Sequence, residues 1–409
     1  MSTIPYPYAE TKRRHEIDWR KHPAVVFESD DWGACENAID AACSDKIAVA
    51  HKKHKGEDCR ELGTLESVDD LERLYRLLEK HQGADGLPAV FTAFVCVGNP
   101  DYEAIGQSGF KEYRDIGLDE GVPPGWERGD IAGKLREGLD RGVFAPEFHA
   151  NLHHTSPKLW LELLNEDSPN GRVARDLFAL RCYYQGIHLP EYHKLDIREQ
   201  FQWVETGVRR FKRIFGVAPT AAVTSDAFPE TEIVWSLNGI KVVCLKNCRN
   251  HNGEVVVYHT KPWNMQDVYT PLGAYNELLD VVYLTRNAFF ELQPPHGCPA
   301  ETLLGVVDNC LNVHHEPAII STHRVNYVSL DKEMAGRRHA ELETLLAGLC
   351  KRGVSFLTTA EVGQLYRQGW SERRFGDKRV IRKWCGDAED AVLPDGRSVA
   401  SLPVGTYVD

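Results

Sequence analysis

The chain alternates short apolar runs with stretches in which apolar residues recur every three to four positions. Runs of the length of buried β-strands occupy residues 24–29, 88–97, 142–145, 220–225, 240–245, 255–258, 280–285, 317–322 and 354–357. Helix-like periodicity covers residues 71–78, 131–140, 156–164, 198–214, 300–312 and 331–351. The pattern predicts a parallel α/β architecture with seven or eight β/α pairs.

The pattern changes near both ends of the chain. We expect an N-terminal extension over residues 1–22, a single α/β unit over 23–370 and a separate segment over 371–409. Gly and Pro punctuate that last segment, which predicts a short β-rich tail that acts as a lid or an interface. The polar region that follows the first apolar run, up to about residue 63, is expected to be irregular.

Composition narrows the classes of partner and compartment. The net charge is −12 with no block of five like charges, which argues against nucleic acid or an anionic membrane as partner. No apolar stretch approaches the ~18 residues of a membrane span, and the N-terminus lacks the apolar core of a secretion signal. Eleven cysteines without a Cys-x2-Cys pair indicate reduced thiols and a cytoplasmic protein. A homo-oligomer is left open.

Potential metal ligands follow two of the apolar runs. Asp30 and Asp31 come after the first strand, and His149 and His153 come after a later one. Active sites of α/β barrels lie at the C-terminal ends of the strands. Two imidazoles and one carboxylate form an open catalytic metal site, and a second carboxylate supplies a general base. His154 is an alternative partner of His149, but residues four apart share a helical face, so His153 is preferred.

A third polar cluster follows the apolar run 317–322. It contains His323, Arg324 and Asn326. A single histidine at such a place is commonly a structural hydrogen-bonding residue. Because this is the third strand end with the same design, His323 is a candidate general acid.

Together, the three clusters resemble the polysaccharide deacetylase superfamily, the NodB-homology group of metal-dependent carbohydrate deacetylases. That family has a distorted (β/α) barrel, an Asp-Asp pair after strand one, a His-x3-His motif and a late apolar strand that ends in His. The resemblance covers roughly residues 20–370. The runs 28–33, 99–102, 146–149 and 321–327 resemble an intracellular branch of the superfamily.

The resemblance implies a role for each residue of the three clusters. Asp30 would be the general base, Asp31, His149 and His153 the metal ligands, and His323 the acid that protonates the leaving amine. One divalent ion is implied, with Zn²⁺ expected and Co²⁺, Fe²⁺, Mn²⁺ or Ni²⁺ as alternatives. The implied reaction removes an acyl group, N-acetyl in the first place, from an amino sugar, an oligosaccharide or a small carbohydrate precursor. The alternatives are hydrolysis of a non-sugar amide and a catalytically silent carbohydrate-binding barrel.

One motif of the family is missing, and several residues have two interpretations. The Arg-x-Pro-Tyr motif has no counterpart in the matching stretch 219–228, so Arg286, Arg324 or Asp226 would orient the base or hold the oxyanion. Trp32, Arg286, Arg324 and Asn326 are expected to bind substrate. Structural alternatives are that Trp32 packs at the barrel end instead of stacking on a sugar, that Arg286 pairs with Glu291 instead of an acidic substrate group, and that Asn326 holds the His323 loop instead of shaping the pocket. Glu147 either supports a ligand histidine or is a solvated loop carboxylate.

Overall fold

The computed structural model describes residues 12–60, 62–153, 155–183, 189, 191–223, 229–245, 248–249, 255–256, 272–291 and 298–409. The strands within these ranges are β1 (Ala24–Trp32), β2 (Phe91–Cys96), β3 (Gly98–Pro100), β4 (Asp115–Gly117), β5 (Phe144–Ala150), β6 (Ala221–Val223), β7 (Val242–Leu245), β8 (Cys248–Arg249), β9 (Val255–Val256), β10 (Ala274–Asn276), β11 (Val281–Thr285), β12 (Ala288–Phe289), β13 (Ala318–His323), β14 (Ser355–Leu357), β15 (Trp370–Phe375), β16 (Lys378–Lys383) and β17 (Gly405–Val408). The helices are α1 (Ala41–Lys55), α2 (Val68–Glu79), α3 (Tyr102–Gln107), α4 (Ile131–Asp140), α5 (Pro157–Asn165), α6 (Pro169–Ala179), α7 (Ile197–Phe215), α8 (Pro229–Leu237), α9 (Ala300–Asn309), α10 (Lys332–Lys351) and α11 (Thr359–Gln368).

A mostly parallel sheet forms the centre of the fold. Its strands pair in the order β10-β11-β7-β6-β5-β2-β1-β13-β12, and β14 also pairs with β1. Every pair is parallel except β10 with β11. Helices surround the sheet, so the predicted α/β class and distorted barrel are confirmed. Nine described strands run parallel, including the short β12 and β14, against the predicted seven or eight.

Alternate residues of the strands enter two separate apolar clusters. In β1, Val25 and Phe27 pack with the surrounding helices, whereas Val26 packs in a second cluster with residues from β7, β11 and β13. Because strand side chains alternate between faces, the residues after Val26 on its face are Glu28 and Asp30. The face that is apolar near the start of β1 therefore carries carboxylates near its end.

The polar region before residue 63 contains a helix that the sequence pattern did not predict. Helix α1 begins after Asp40, whose side chain accepts a hydrogen bond from the backbone of Cys43, and ends at Gly56, whose φ of 73° is left-handed. These are ordinary start and stop signals of a helix. The expectation of irregular structure was wrong because the apolar residues of α1 are mostly alanines, which give a weak amphipathic pattern; those that are buried include Cys43, Ile47 and Ala50.

The C-terminal tail forms a three-stranded antiparallel sheet in the order β15-β16-β17. Arg373 donates a hydrogen bond to the backbone carbonyl of Gly142, which precedes β5. Arg382 is fully buried and pairs with Glu361, near the start of α11, and with Asp85, which precedes β2. Gly142 and Asp85 precede β5 and β2, so two of these three contacts lie at the N-terminal ends of parallel strands. The tail is thus β-rich as predicted, but it does not cover the strand ends that carry the polar clusters.

The described part of the N-terminal extension packs at the same end of the barrel as the tail. Trp19 is 2% exposed and donates a hydrogen bond of 2.8 Å to the hydroxyl of Tyr366 on α11. The backbone N–H of His15 donates to the backbone carbonyl of Tyr366 at 3.2 Å. None of the helices in the described ranges combines the length and hydrophobicity that a membrane span needs.

Candidate metal centre

A β-bulge near the end of β1 allows consecutive aspartates to reach the same end of the barrel. The register between β1 and β2 shifts between Ser29 and Trp32, so that Asp30 and Asp31 together oppose one residue of β2. Asp31 has a φ of 77°, in the left-handed region that few residues other than glycine adopt. Bulges turn a side chain away from the direction that strict alternation would give it, and they occur next to active sites.

The chain after the bulge is fixed by buried hydrogen bonds. The side chain of Asn99 donates to the carbonyl of Gly33 at 3.0 Å and accepts from the backbone N–H of Cys35 at 2.6 Å. Gly33 has a φ of 80°, and a Cβ atom there would lie 2.6 Å from the carbonyl oxygen of Cys96. The loop that carries Asp31 therefore has little freedom to move.

Asp31, His149 and His153 converge at the C-terminal ends of β1 and β5. Oδ1 of Asp31 lies 3.3 Å from Nε2 of His149 and 3.0 Å from Nε2 of His153. Candidate ligand atoms of the three residues lie within 4.8 Å of one another. His149 belongs to β5 and His153 to the turn that follows. The structure thus brings together the three residues that were grouped from the sequence, but their spacing on a helix was wrong, and the alternative His154 lies outside the described residues.

The outer nitrogens of both rings have hydrogen-bond partners of their own. Nδ1 of His149 lies 2.9 Å from the carbonyl oxygen of Val223, and Nδ1 of His153 lies 2.6 Å from the carboxylate of Glu36. A carbonyl oxygen only accepts, so Nδ1 of His149 carries a proton, and Nε2 is the ring nitrogen that is left for a metal ion. Carboxylate or carbonyl support of this kind is typical of metal-binding histidines.

The donor set fits a divalent cation. A bound cation would take a lone pair from Nε2 of each ring and from a carboxylate oxygen of Asp31, so that one ion would satisfy all three residues. Ligand atoms of a tetrahedral zinc site lie about 3.4 Å apart, and the two distances measured here are 3.3 and 3.0 Å. Three protein ligands leave a coordination position for water or substrate. Two imidazoles and a carboxylate also suit Co²⁺, Fe²⁺, Mn²⁺ or Ni²⁺.

Asp30 lies beside this centre and is held by Arg286. Nη2 and Nη1 of Arg286 donate to the two carboxylate oxygens of Asp30 at 2.6 and 2.7 Å, and Nε donates to Glu28 at 2.7 Å. Burial by itself would raise the pKa of Asp30, but the charge and hydrogen bonds of Arg286 hold it below its usual range. Asp30 is thus an oriented, ionised carboxylate. Of the three residues proposed to orient it, Arg286 makes the contact, and Asp226 lies outside the described residues.

His323 faces Asp30 from the end of β13. Its Nε2 lies 3.6 Å from Oδ2 of Asp30, and its Nδ1 lies 2.8 Å from the carboxylate of Glu291. Asn326 donates to the other oxygen of Glu291 at 3.0 Å. Burial lowers the pKa of His323, but Glu291, with Asp31 and Asp30, raises it overall to about 9. The ring is consequently protonated at neutral pH, and its partly exposed Nε2 can donate.

Three residues expected to bind substrate are buried in structural roles. Trp32 is fully buried, donates to Ser29 at 3.0 Å and packs edge-on against Phe144, so the expected stacking on a sugar is wrong. The bulge turns its ring towards the helix layer. Asn326 is fully buried and holds Glu291, which agrees with the alternative that it fixes the His323 loop.

Arg324 is the third of these residues and lies behind the metal ligands. It is 2% exposed and donates to Glu66 at 3.0 Å, to Glu36 at 3.3 Å and to the carbonyl of Ala34 at 2.8 Å. Glu36 in turn contacts His153. Arg324 therefore supports a ligand histidine through Glu36 and is not placed to bind substrate.

Arg286 and Glu147 also differ from expectation. Arg286 is buried against Glu28 and Asp30, so it neither pairs with Glu291 nor faces a substrate. Glu147 accepts hydrogen bonds from the backbone N–H groups of Thr220 and Ala221 instead of supporting a histidine. Burial raises the pKa of Glu147 to about 7, although these hydrogen bonds act against the shift.

Three carboxylates of the site were not identified from the sequence. Glu28 could have been found by continuing the alternation of β1, because it precedes Asp30 by two residues on the same face. Glu36 and Glu291 have no such signal. They lie in segments without strand periodicity and reach their histidines across 117 and 32 residues of chain.

The fold and the site together define an α/β barrel with three residues, Asp31, His149 and His153, that could hold a metal ion. No protein-family model and no curated protein matches the sequence. Among solved structures, the chain is similar to a probable polysaccharide deacetylase from Pseudomonas aeruginosa PAO1, with 11% identity, a TM-score of 0.39 and coverage of 83% of this chain and 89% of that one. It is also similar to the PuuE allantoinase, with 12% identity, a TM-score of 0.39 and coverage of 88% and 93%. Similarities this low carry no functional information.

Proposed function

We propose that the protein is a metal-dependent hydrolase that removes an acyl group, N-acetyl in the first place, from an amino sugar or a carbohydrate precursor. One observation carries the hydrolase part of the proposal. An ionised carboxylate, Asp30, lies next to the three potential ligands without belonging to them, and a protonated histidine, His323, faces it at 3.6 Å. A base and an acid beside an open metal position are what hydrolysis of an amide requires.

Asp31, His149 and His153 are the residues that would hold the ion. A divalent cation supplies a Lewis acid that polarises the acyl oxygen and lowers the pKa of a water molecule to about 7. Asp30 accepts the proton of the attacking water. Its orientation is set by the two hydrogen bonds from Arg286, and its low pKa keeps it ionised at neutral pH, so that it is present as an acceptor.

His323 completes the reaction at the leaving group. Because Nδ1 is held by Glu291, Nε2 is the atom that faces Asp30 and the reaction space. Nε2 donates its proton to the nitrogen as the C–N bond breaks, which releases an amine and a carboxylic acid. One water molecule is consumed, and the proton taken by Asp30 returns to His323 through solvent after the products leave.

The substrate class rests on the resemblance of the sequence motifs to carbohydrate deacetylases. The same base and acid would also serve a non-sugar amide. The panel of substrates should therefore contain N-acetylglucosamine, its oligomers and nucleotide-linked N-acetylhexosamines beside a simple N-acetyl amine and a cyclic amide. Acetate release from a sugar substrate, above that from the simple amide, is expected.

Metal content and turnover of matched variants test the catalytic roles. Asp30→Asn should keep the metal content of the wild type and lose activity by ~10²–10⁴-fold, because an amide does not accept a proton. Asp31→Asn and His149→Ala should each contain one equivalent of metal less than the wild type. Equal metal loss in the Asp30 and Asp31 variants would contradict the division of roles. Hydrolysis of the non-sugar amides alone would reject the sugar substrate.

A further inference from the structure

A second cluster of metal-binding side chains lies at the opposite end of the barrel. It brings together His15 from the N-terminal segment with Cys385 and Asp387 from the loop after β16. Candidate ligand atoms of these residues lie within 4.8 Å of one another. Nδ1 of His15 lies 4.0 Å from Sγ of Cys385 and 3.6 Å from Oδ1 of Asp387, and the thiol of Cys385 contacts the same carboxylate.

Independent contacts hold the backbone at His15 and the residue next to Cys385 in place. The backbone N–H of His15 is bonded to the carbonyl of Tyr366 at 3.2 Å. Trp384, next to Cys385, stacks on His22 with centroids 4.6 Å apart and packs edge-on against Trp19. These contacts would keep the donors together without an ion, so the site is prepared for binding by the packing around it.

The loop that carries Asp387 is anchored on its far side. The N–H of Glu389 donates to the carbonyl of Gln368 at 2.8 Å, and the Glu389 side chain forms an ion pair with Arg14. Asp387 itself is 78% exposed at its side chain, whereas His15 and Cys385 are each 7% exposed. The cluster is thus buried on two sides and open to solvent on the third, which gives an ion a path of entry.

We propose that His15, Cys385 and Asp387 form a second divalent-metal site, for which Zn²⁺ is the fitting ion, that joins the N-terminal segment to the C-terminal tail. Thiolate, imidazole and carboxylate are the three ligand types that zinc accepts, and the sulfur ligand disfavours Mg²⁺ and Ca²⁺. Two negative ligands neutralise the charge of the ion. A water molecule from the open side supplies the fourth position.

The chemistry of Cys385 favours metal binding over a role as a reactive nucleophile. Burial and the neighbouring Asp387 carboxylate raise the pKa of the thiol. A nucleophilic cysteine needs a lowered pKa. A divalent ion takes the place of the thiol proton, and the buried thiolate is then neutralised by the metal.

The thiolate provides a spectroscopic signature that the site at Asp31 lacks. Co²⁺ bound to sulfur gives a thiolate-to-metal charge-transfer band in the near ultraviolet, whereas Co²⁺ bound to two histidines and an aspartate does not. Titration of the full-length apoprotein with Co²⁺ should produce this band in the wild type and in His149→Ala. Cys385→Ser should abolish it. The matched control Cys350→Ser, at a partly exposed thiol far from the cluster, should retain it.

Zinc content gives a second measurement that does not depend on activity. After treatment with a chelating resin, His149→Ala should still hold one equivalent of Zn²⁺, and the double variant His149→Ala/Cys385→Ser should hold none. Zn²⁺ added to the metal-free form of each protein should raise the Tm of the first and leave that of the second unchanged, because only a folded site binds it. Asp387→Asn, at an exposed position that does not threaten folding, should weaken Zn²⁺ binding by at least ~10-fold.

Two results would overturn the second site. One is a wild-type protein that shows no charge-transfer band with Co²⁺, or a band that survives in Cys385→Ser. The other is a His149→Ala protein that retains no zinc. Neither result bears on the proposed hydrolase, whose failure would appear as loss of acetate release with the sulfur-linked band intact.

Discussion

Arg286 and Asp30 form a buried two-point ion pair, in which Nη2 and Nη1 of the guanidinium donate to separate carboxylate oxygens at 2.6 and 2.7 Å. Nε of the same guanidinium donates to Glu28 at 2.7 Å, so two buried carboxylates share one cation. Glu28 also accepts a hydrogen bond of 2.9 Å from Thr359. The base is therefore part of a network that extends to the start of α11, and its position depends on residues far from the reaction space.

Removal of the arginine should destabilise the protein strongly. Arg286→Met leaves Glu28 and Asp30 buried without their cation, and loss of one partner of a buried ion pair costs about 3–5 kcal/mol. Arg286→Met/Glu28→Gln should be less destabilised than the sum of the single variants, because the uncompensated charge at residue 28 is gone. Urea denaturation of the four proteins measures the coupling. Strict additivity would show that Arg286 and Glu28 do not interact as the structure indicates.

Support of His153 by Glu36 should be visible in metal affinity. Glu36→Gln removes the carboxylate that lies 2.6 Å from Nδ1 of His153, and loss of such a partner typically weakens metal binding by ~10–100-fold. Glu66→Gln is the matched control, because Glu66 is an equally buried carboxylate that also binds Arg324 but is not bonded to the histidine. Competition with a chelator measures both affinities. Similar weakening in both variants would assign the effect to Arg324 and not to His153.

The sequence predicted the fold class and the ligand set because both depend on local patterns. One apolar strand carries Asp31 at its end, and another ends shortly before His153. Parallel strands bring such ends to the same edge of a sheet. The partners of these residues depend on tertiary packing. Arg286 reaches Asp30 across 256 residues, and no periodicity of either segment indicates that contact. Trp32 was misassigned because a bulge, which the pattern does not reveal, turns its ring into the core.

Substitution of Glu291 should shift the pH above which kcat/KM falls. Burial lowers the pKa of His323, but Glu291, with Asp31 and Asp30, raises it overall from the ordinary 6.5 to about 9. The value of kcat/KM should therefore be level at neutral pH and fall above about 9, as the acid loses its proton. Glu291→Gln removes the charge of Glu291, and the fall should move to lower pH. Glu333→Gln, at an exposed carboxylate on α10, is the control and should leave the profile unchanged. If kcat/KM of Glu291→Gln fell at the same pH as that of the wild type, the group that titrates there would not be His323.

The same pKa shift has a consequence for stability. The histidine binds its proton more tightly in the folded state than in the unfolded state, so the Glu291–His323 pair stabilises the fold fully below pH 6.5. That contribution is lost as the pH rises from 6.5 through about 9. The free energy of unfolding of the wild type should therefore fall over this window relative to that of Glu291→Gln. Parallel curves for the two proteins would contradict the shift.

The role of His323 as an acid should depend on the leaving group. His323→Ala removes the proton donor that lies 3.6 Å from Asp30, so hydrolysis of an N-acetyl sugar, whose amine must be protonated to leave, should slow by ~10²–10⁴-fold. An activated acetate ester has a leaving group that departs without a proton and should be affected far less. Comparison of kcat/KM on the two substrates separates proton donation from other roles. Equal losses on both would mean that His323 binds the oxyanion or orients Asp30, because those functions serve every acyl substrate alike.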